Sequence, residues 1–202
     1  DGMKEMVSVE QVKNFTKRKL LFLIAQSKEN TAVLAELRRG VGKIPGELPG
    51  LSGYFMEGMP EAFFGQAEPS RAEWAVYTAL TLFALHQQGN AIDGELMYEE
   101  GCSIGKAISK LIEREEDRER IRKRFNSVAT SNDIEEIAYY LRGIIQMLRN
   151  EKIEVDYVAL SGDLYLFRFP ELRPQVRLRW GQDYYGSLTK REEKDLIEEE
   201  EK

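Results

Sequence analysis

One segment near the middle of the chain restricts the possible folds more than any other. Between Ser70 and Gly89, apolar side chains such as Trp74 and Phe83 recur around most of a helical circumference. A helix of that kind has no polar face to turn toward water and is typical of the centre of a bundle. The sequence therefore predicts a long, buried helix that starts at Pro69 or Ser70 and ends at Gly89.

Helical patterns also dominate the rest of the chain. Only six prolines occur among 202 residues and β-branched residues are sparse, so the composition favours an all-α fold. Capping-box patterns mark two helix starts, Ser8 with Gln11 and Asn132 with Glu135. The sequence VRLRW alternates over five residues, which leaves a short strand as a weak alternative to the last helix. The other predicted helices span residues 31–39, 51–56, 61–64, 103–112, 132–150 and 156–167, with a last one from Pro170 or Pro174 to about Tyr185.

A mixed-charge segment separates the two halves of the chain. Residues 113–124 carry six basic and five acidic side chains, with Ile121 as their only apolar residue. Such a segment is typical of an exposed helix or a helical bridge, and we place a domain boundary within it. The prediction is an N-terminal helical bundle over residues 1–116, a C-terminal helical bundle over 117–187, and a charged, frayed tail over 188–202.

The cysteine content and the hydropathy limit the cellular setting. The single cysteine, Cys102, excludes an intramolecular disulfide and a thiolate zinc cluster and is consistent with a reducing compartment. The longest apolar run, residues 20–25, is far shorter than a membrane span, and it lacks the features of a signal peptide. We therefore expect a cytoplasmic protein with no membrane partner.

Side chains that could carry catalysis do not converge in the sequence. The sole histidine, His86, lies near the end of the apolar helix, where a structural role is the simpler interpretation. The acidic clusters at residues 113–119 and 198–201 are typical of solvated surfaces rather than of a metal site. We predict no catalytic residue, no metal ligand and no cofactor.

A glycine-rich turn superficially resembles a phosphate-binding loop. It runs from Gly101 to Lys106, but its spacing is one residue short and Ala107 stands where Ser or Thr would hold magnesium. No buried strand precedes it. The better interpretation of Gly105 is close packing between helices.

Clusters of basic residues are the remaining functional signal. The net charge of −6 argues, taken alone, against binding to a polyanion. The charge is unevenly spread, however, and local field rather than net charge governs contact with phosphates. Five clusters, each of which could also be a solvated or ion-paired surface, together favour a surface that follows a nucleic-acid backbone. The candidate residues in them are Lys13, Lys17, Arg18, Arg38, Arg39, Lys43, Arg122, Lys123, Arg124, Arg142, Arg149, Arg177 and Arg179.

Several of these residues lie in motifs that resemble a known family. Over residues 10–185 the chain is similar to the CasB family, the small subunit of the type I-E CRISPR surveillance complex, Cascade. The order and spacing of the motifs carry the resemblance, since no single motif is specific. The motifs are LAELRRG, AVYTALTLFALHQQGN, SIGKA, SNDIEEIAYYLRGIIQMLRNEKIEVDYVALSGDLYLF and VRLRWGQDYY.

The resemblance implies a fold, partners and a role. The fold would be two small helical bundles, and two copies would associate head to tail within the complex. The partners would be CRISPR RNA, the target and displaced DNA strands and the other Cascade subunits, held without catalysis. The acidic tail and the net acidity depart from the family pattern. The resemblance implies nucleic-acid binding for the matched positions Arg38, Arg39, Lys106, Arg142, Arg177 and Arg179.

Two other functions stay open at the level of sequence. A helical scaffold that binds only protein would explain the acidic net charge and would leave Tyr184 and Tyr185 as interface residues. Charge reversal at the basic clusters would then leave partner binding intact. An enzyme, such as a nuclease, would require acid, base or metal ligands to converge, and the sequence offers no such set.

Overall fold

The computed structural model describes residues 6–201 of the chain, and over this range the fold is all-α, as predicted. The single β-bridge in that range joins Tyr98 to Val155. Two short 3₁₀ turns, Pro49–Leu51 and Glu61–Phe63, lie in the loop region before α4. The α-helices are α1 (Val9–Glu29), α2 (Ala32–Arg38), α3 (Ser52–Met56), α4 (Arg71–Gln87), α5 (Ile104–Ser109), α6 (Asp117–Ala129), α7 (Ile134–Asn150), α8 (Tyr157–Phe167) and α9 (Arg173–Glu200).

The helix predicted to lie at the centre, α4, is buried along almost its whole length. Every side chain from Ala72 to Gln87 is buried, and α1, α2, α3, α7 and α8 pack around it. A capping box starts the helix: the Ser70 hydroxyl accepts from the Glu73 amide at 3.0 Å, and the Glu73 carboxylate accepts from the Ser70 amide at 3.2 Å. The prediction of a buried helix with its start at Ser70 is confirmed.

Polar groups on α4 are satisfied inside the core. The Tyr77 hydroxyl donates to the carbonyl of Gly40 at 2.7 Å. The side-chain nitrogen of Gln87 donates to the carbonyls of Asn90 and Glu95 at 2.9 and 3.0 Å. Its side-chain oxygen accepts from the backbone amide of Met97 at 2.9 Å. Because buried polar groups are costly unless they are hydrogen-bonded, these contacts fix the loops that follow α2 and α4.

The N- and C-terminal halves share their core. Helix α4 packs against α7 and α8, and α5 packs against α9. The buried apolar residues on both sides of the mixed-charge segment belong to one hydrophobic cluster. The division into bundles over residues 1–116 and 117–187 stays a prediction, and residues 1–5 of the first range and 202 of the tail lie outside the described residues.

One predicted capping box is shifted by a residue. The capping box at Ser8 and Gln11 is confirmed. The box expected at Asn132 and Glu135 is wrong, because Asp133 caps α7 by accepting from the Glu136 amide at 2.8 Å, and the Glu136 carboxylate accepts from the Asn132 amide at 2.9 Å. A carboxylate at a helix N-terminus also interacts favourably with the helix dipole, which gives Asp133 the advantage.

The last helix is longer than the sequence predicted. We expected it to end near Tyr185 with a frayed tail after Gly186, but α9 continues to Glu200. The guanidinium of Arg191 donates to the carbonyls of Ser109 and Ile112 at 2.6 and 3.0 Å. These contacts, which no local pattern reveals, offset the cost of about 1 kcal/mol of a glycine inside a helix. The alternative of a strand over VRLRW is also wrong, because that segment lies in α9.

Helices α5 and α9 approach each other at Gly105, as the sequence indicated. A Cβ atom at this position would lie 2.6 Å from the Trp180 carbonyl oxygen and 3.1 Å from the Tyr184 amide nitrogen. Both atoms belong to the backbone and cannot rotate away. None of the helices within residues 6–201 combines the length and the hydropathy that a membrane-spanning segment requires.

We predict that Gly105→Ala lowers the free energy of unfolding by about 1–3 kcal/mol, because the added methyl group overpacks the α5–α9 contact. Gly181→Ala is the matched control: nothing lies within 4 Å of a Cβ atom there, so the gain in helix propensity should stabilise the protein by up to about 1 kcal/mol. Urea unfolding of both variants measures the difference. Equal stabilities would contradict the prediction.

Candidate nucleic-acid interface

An open groove between α6 and α7 is lined by more basic than acidic side chains. Its volume is about 810 Å³. Four cationic side chains and two tyrosines lie along it together with two carboxylates. The lining residues are Glu116, Glu119, Arg120, Lys123, Arg124, Ser127, Tyr139, Tyr140, Arg142, Gly143 and Gln146.

The periodicity of α6 determines which of its side chains line this α6–α7 groove. Ile121, Phe125 and Val128 are buried and anchor one side of α6 against the core. The other side is left for polar residues, and Arg120 and Arg124, one turn apart, both line the groove. A helix with one apolar stripe thus presents a row of cations beside its partner helix.

Helix α7 contributes the opposite wall in the same way. Its buried stripe includes Ile137, Leu141 and Ile144, and the exposed surface carries Tyr139 and Arg142. Gly143 leaves room for the neighbouring helix, since a Cβ atom there would lie 3.2 Å from Nη1 of Arg124. The small residue therefore allows an α6 guanidinium to reach across to α7.

The cations of the groove differ in how far they are neutralised. Lys123 lies 3.7 Å from the Glu119 carboxylate, which also accepts from Arg122 at 2.5 Å. Within residues 6–201, neither Arg124 nor Arg142 forms an ion pair with a carboxylate. Exposed pairs contribute at most about 1 kcal/mol each and are easily exchanged for another anion. Arg120 likewise pairs with Asp117 at 3.0 Å, so the groove offers two unpaired and two weakly paired cations.

A second pair of predicted residues, Arg38 and Arg149, comes from the two halves of the chain and interacts electrostatically. Burial and, after it, the nearby guanidinium of Arg149 lower the pKa of Arg38. Arg149 also donates to the Gln88 side-chain oxygen at 2.8 Å. Arg149 lies two turns from Arg142 on α7, so their Cα atoms are about 10 Å apart along the helix axis. The structure thereby places Arg38 of α2 near enough to Arg149 of α7 for their charges to interact.

Two other predicted residues, Arg177 and Arg179, form contacts between elements of the fold. Arg177 donates to the Ser131 carbonyl at 2.8 Å. Arg179 forms an ion pair with Asp163, which also accepts from the Trp180 indole at 2.8 Å. Burial raises the pKa of Asp163, and the Arg179 guanidinium opposes that rise. These contacts position α9 against α8 and the loop before α7, so both side chains also have a structural use.

The remaining predicted residues do not line the α6–α7 groove. Lys13 pairs with Glu10, Lys17 with Glu100 and Lys43 with Glu47, at 3.6, 3.7 and 3.2 Å. The structure gives these three cations local partners of the ordinary surface kind.

Three further predicted residues have contacts other than ion pairs. The Arg18 guanidinium lies over the ring of Phe15 at 5.6 Å. Lys106 donates to the Gly101 carbonyl at 3.4 Å, while Arg39 lines a shallow cleft beside α2. Of the predicted set, the groove therefore brings together Lys123, Arg124 and Arg142, and the binding roles of all the others stay predictions.

Sequence reasoning missed three residues of the groove, Arg120, Tyr139 and Tyr140. Arg120 lies in a segment where acidic residues alternate with basic ones, so its charge did not stand out. Tyr139 and Tyr140 precede Arg142 by one turn or less. An aromatic residue on the same exposed helix side as an arginine was the available signal, but only the packing of α6 on α7 places both in one groove.

A further cationic surface lies where α8 ends and α9 begins. The guanidinium of Arg71 lies over the Phe169 ring at 4.2 Å, and that of Arg173 lies over the Phe167 ring at 4.8 Å. Burial and, after it, the nearby Arg71 guanidinium lower the pKa of Arg168. Arginines on aromatic rings are held flat and keep most of their hydrogen-bonding capacity. Arg71 and Arg168 were not among the predicted residues.

The residues considered for catalysis have structural contacts. His86 is buried, and its Nδ1 atom lies 2.7 Å from the Tyr157 hydroxyl. In the turn from Gly101 to Lys106, the Ser103 hydroxyl caps α5 by accepting from the Lys106 amide at 3.4 Å. Among residues 6–201, no group of three or more His, Cys, Asp or Glu side chains is arranged to hold a metal ion.

We predict that the His86 imidazole stays neutral at pH values well below the usual pKa of histidine. Burial lowers its pKa to about 4, aided by Arg149 and opposed by the Ile153 backbone. Between pH ~6.5 and ~4 the histidine is protonated in the unfolded chain but stays neutral in the folded chain. Its contribution to the free energy of unfolding therefore falls by about 3 kcal/mol over this window as the pH decreases. Because the chain has one histidine, its NMR signal gives the pKa directly. A titration near pH ~6.5 would contradict the prediction.

Comparison with known proteins identifies relatives of the chain. The family model described as CRISPR-associated protein Cse2 matches residues 33–185. The crystal structure of CasB from Thermobifida fusca is similar with a TM-score of 0.70 and 32% identity, covering 86% of this chain and 97% of that one. The crystal structure of a Cse2-family CRISPR-associated protein from Thermus thermophilus gives 0.64 and 25%, covering 90% and 99%. No curated protein sequence matches.

The helical fold and these matches define the chain as a CRISPR-associated protein. It belongs to the Cse2 family, of which CasB is the structural relative described above. The resemblance to CasB is therefore confirmed. The match to the family model ends at residue 185, so the end of α9 lies beyond it.

Proposed function

We propose that the chain is a non-catalytic subunit of the type I-E CRISPR Cascade complex and acts in the cytoplasm in antiviral defence. Its partners in this role are the other Cascade subunits, CRISPR RNA, and the target and displaced DNA strands. A second copy of the chain would bind head to tail within the same complex. Membership in the Cse2 family supports the assignment to a CRISPR complex.

The α6–α7 groove is the observation that carries the nucleic-acid part of the proposal. It combines Arg120, Lys123, Arg124 and Arg142 along a concave surface of a protein whose net charge is −6. A local concentration of cations attracts anions even when the net charge of the protein is negative, and this favours an anionic partner for the groove. Phosphate groups of a nucleic-acid strand supply that partner in a row, as the cations themselves are arranged in a row.

Contacts of this kind are sufficient for the proposed role. Opening a DNA duplex against a guide RNA is close to neutral in free energy, so modest contacts to the backbone decide whether the R-loop persists. Arginine and lysine supply those contacts without reading the sequence of bases. The predicted cations outside the groove, such as Arg38 with Arg149, would extend the path of the strand. Sequence reading stays with the guide RNA.

A scaffold that binds only protein is the second candidate. The ion pairs of Lys13, Lys17 and Lys43 favour it, because paired cations need no nucleic acid. The acidic end of α9 is also unsuited to contact with phosphate. The two candidates differ in what the unpaired arginines of the groove do, and this difference can be measured.

We predict that Arg124→Gln combined with Arg142→Gln weakens DNA binding equally for unrelated sequences. The slope of log affinity against log salt should fall by about 2 for duplex DNA, because each lost phosphate contact releases one counterion fewer. Fluorescence anisotropy between ~50 and ~200 mM salt measures the slope.

The matched control for this experiment is Lys28→Gln combined with Lys190→Gln, which changes the net charge equally outside the groove. If both double variants show the same slope, the groove is not a phosphate-binding surface. Circular dichroism of each variant checks that the fold is intact.

We further predict that the chain co-purifies with the other Cascade subunits and CRISPR RNA when they are expressed together. Arg124→Glu combined with Arg142→Glu should leave assembly intact and shorten the lifetime of the R-loop, because like charges then face the DNA backbone. An unchanged lifetime would favour the scaffold. A chain that stays out of the complex would overturn the first candidate.

A further inference from the structure

We infer that Tyr139 is a stacking platform for an unpaired base and that it makes the α6–α7 groove prefer single strands to duplexes. This inference rests on the proposed nucleic-acid role of the groove and adds to it the form of nucleic acid that the groove takes. The carrying observation is an exposed aromatic ring among unpaired cations.

The exposure of Tyr139 is unusual for an aromatic side chain. The residue is 72% exposed, compared with 61% for Phe22 and 48% for Tyr185. Ile137 and Leu141, two positions before and after it in α7, are buried. The ring of Tyr139 therefore contributes little to the core. Covering its exposed aromatic surface with a flat partner is favourable, because apolar surface is removed from water.

The contact of Tyr139 with its neighbour leaves room for such a partner. Its ring and that of Tyr140 meet edge to face, with centroids 5.3 Å apart and an angle of 73° between the planes. An edge-to-face contact supplies no parallel ring. A nucleic-acid base is a flat ring of the required kind, and bases stack on aromatic side chains with little regard to sequence.

Two unpaired cations line the same groove as the Tyr139 ring. Arg142 follows Tyr139 by about one turn of α7, and Arg124 extends across the groove to Gly143. A strand whose phosphates lie on these two unpaired guanidinium groups can turn a base onto the neighbouring ring. A basic groove interleaved with an aromatic platform is the combination used to bind single strands.

The two carboxylates of the groove indicate where along it the strand lies. Glu116 immediately precedes α6 and Glu119 lies in its first turn, where Arg122 and Lys123 pair with the Glu119 carboxylate. Phosphates would be repelled at that end and attracted at the opposite one. The attractive end is the end with Arg124 and the tyrosine.

A duplex cannot use the platform. Its bases are already stacked on one another and paired, so a side chain in an open groove reaches only the phosphates and base edges. Tyr139 should therefore add affinity for single strands and none for duplexes. The cations should contribute to both.

The test compares three variants of the full-length protein on two probes. The variants are Tyr139→Ala, Tyr139→Phe and, as an exposed aromatic control away from the groove, Phe22→Ala. The probes are a short single strand with a central 2-aminopurine and a duplex of the same length that carries a terminal dye. Affinity is measured for both probes, and quenching of 2-aminopurine reports stacking of the base.

Tyr139→Ala should lower the affinity for the single strand roughly tenfold and abolish the quenching, while the affinity for duplex changes less than about twofold. Tyr139→Phe and Phe22→Ala should behave as the unchanged protein, since the first keeps the ring and the second lies elsewhere. Equal losses on both probes, or no loss on either, would overturn the inference. If the unchanged protein binds neither probe, the proposed nucleic-acid function itself is wrong.

Discussion

The burial of α4 on all sides is the constraint on which the remainder of the structure depends. A helix with no polar side is stable in water only when other helices cover it completely, and α1, α2, α3, α7 and α8 do so. Helices from both the N-terminal and the C-terminal half of the sequence therefore pack against α4. Arg38 and Arg149 lie near enough for their charges to interact, because α2 and α7 both pack on α4. The distribution of charge on the surface is thus a result of packing in the core.

The same packing produces a basic groove on an acidic protein. Helices α6 and α7 follow each other in the chain and bury one stripe each, which leaves their polar sides next to each other. At physiological ionic strength, charges are screened beyond about 8 Å. Carboxylates on distant helices therefore do little to weaken the field inside the groove. Local arrangement, rather than the net charge of −6, determines which partner that surface attracts.

The sequence predicted the all-α class, the central helix and most helix starts, because these follow from periodicity and capping within a few residues. It failed where the determining contact joins distant residues. The end of α9 is held by the contact of Arg191 with Ser109, 82 residues away in the chain. The pairing of Arg179 with Asp163 and the position of Tyr139 in a groove were likewise invisible, since each depends on which helices pack together. Basic residues could be recognised from the sequence, but their partners could not.

The continuation of α9 to Glu200 has a consequence for access to the basic groove. A flexible chain end rich in carboxylates would act as a tethered competitor, present at the groove in the millimolar range of effective concentration. In the helical form, the carboxylates of residues 192–200 lie along a rod. The contacts of Arg191 with α5 and of Glu192 with Arg118 at 2.6 Å anchor the rod where these carboxylates begin. Helix formation therefore holds these carboxylates on a rigid projection instead of on a mobile tether.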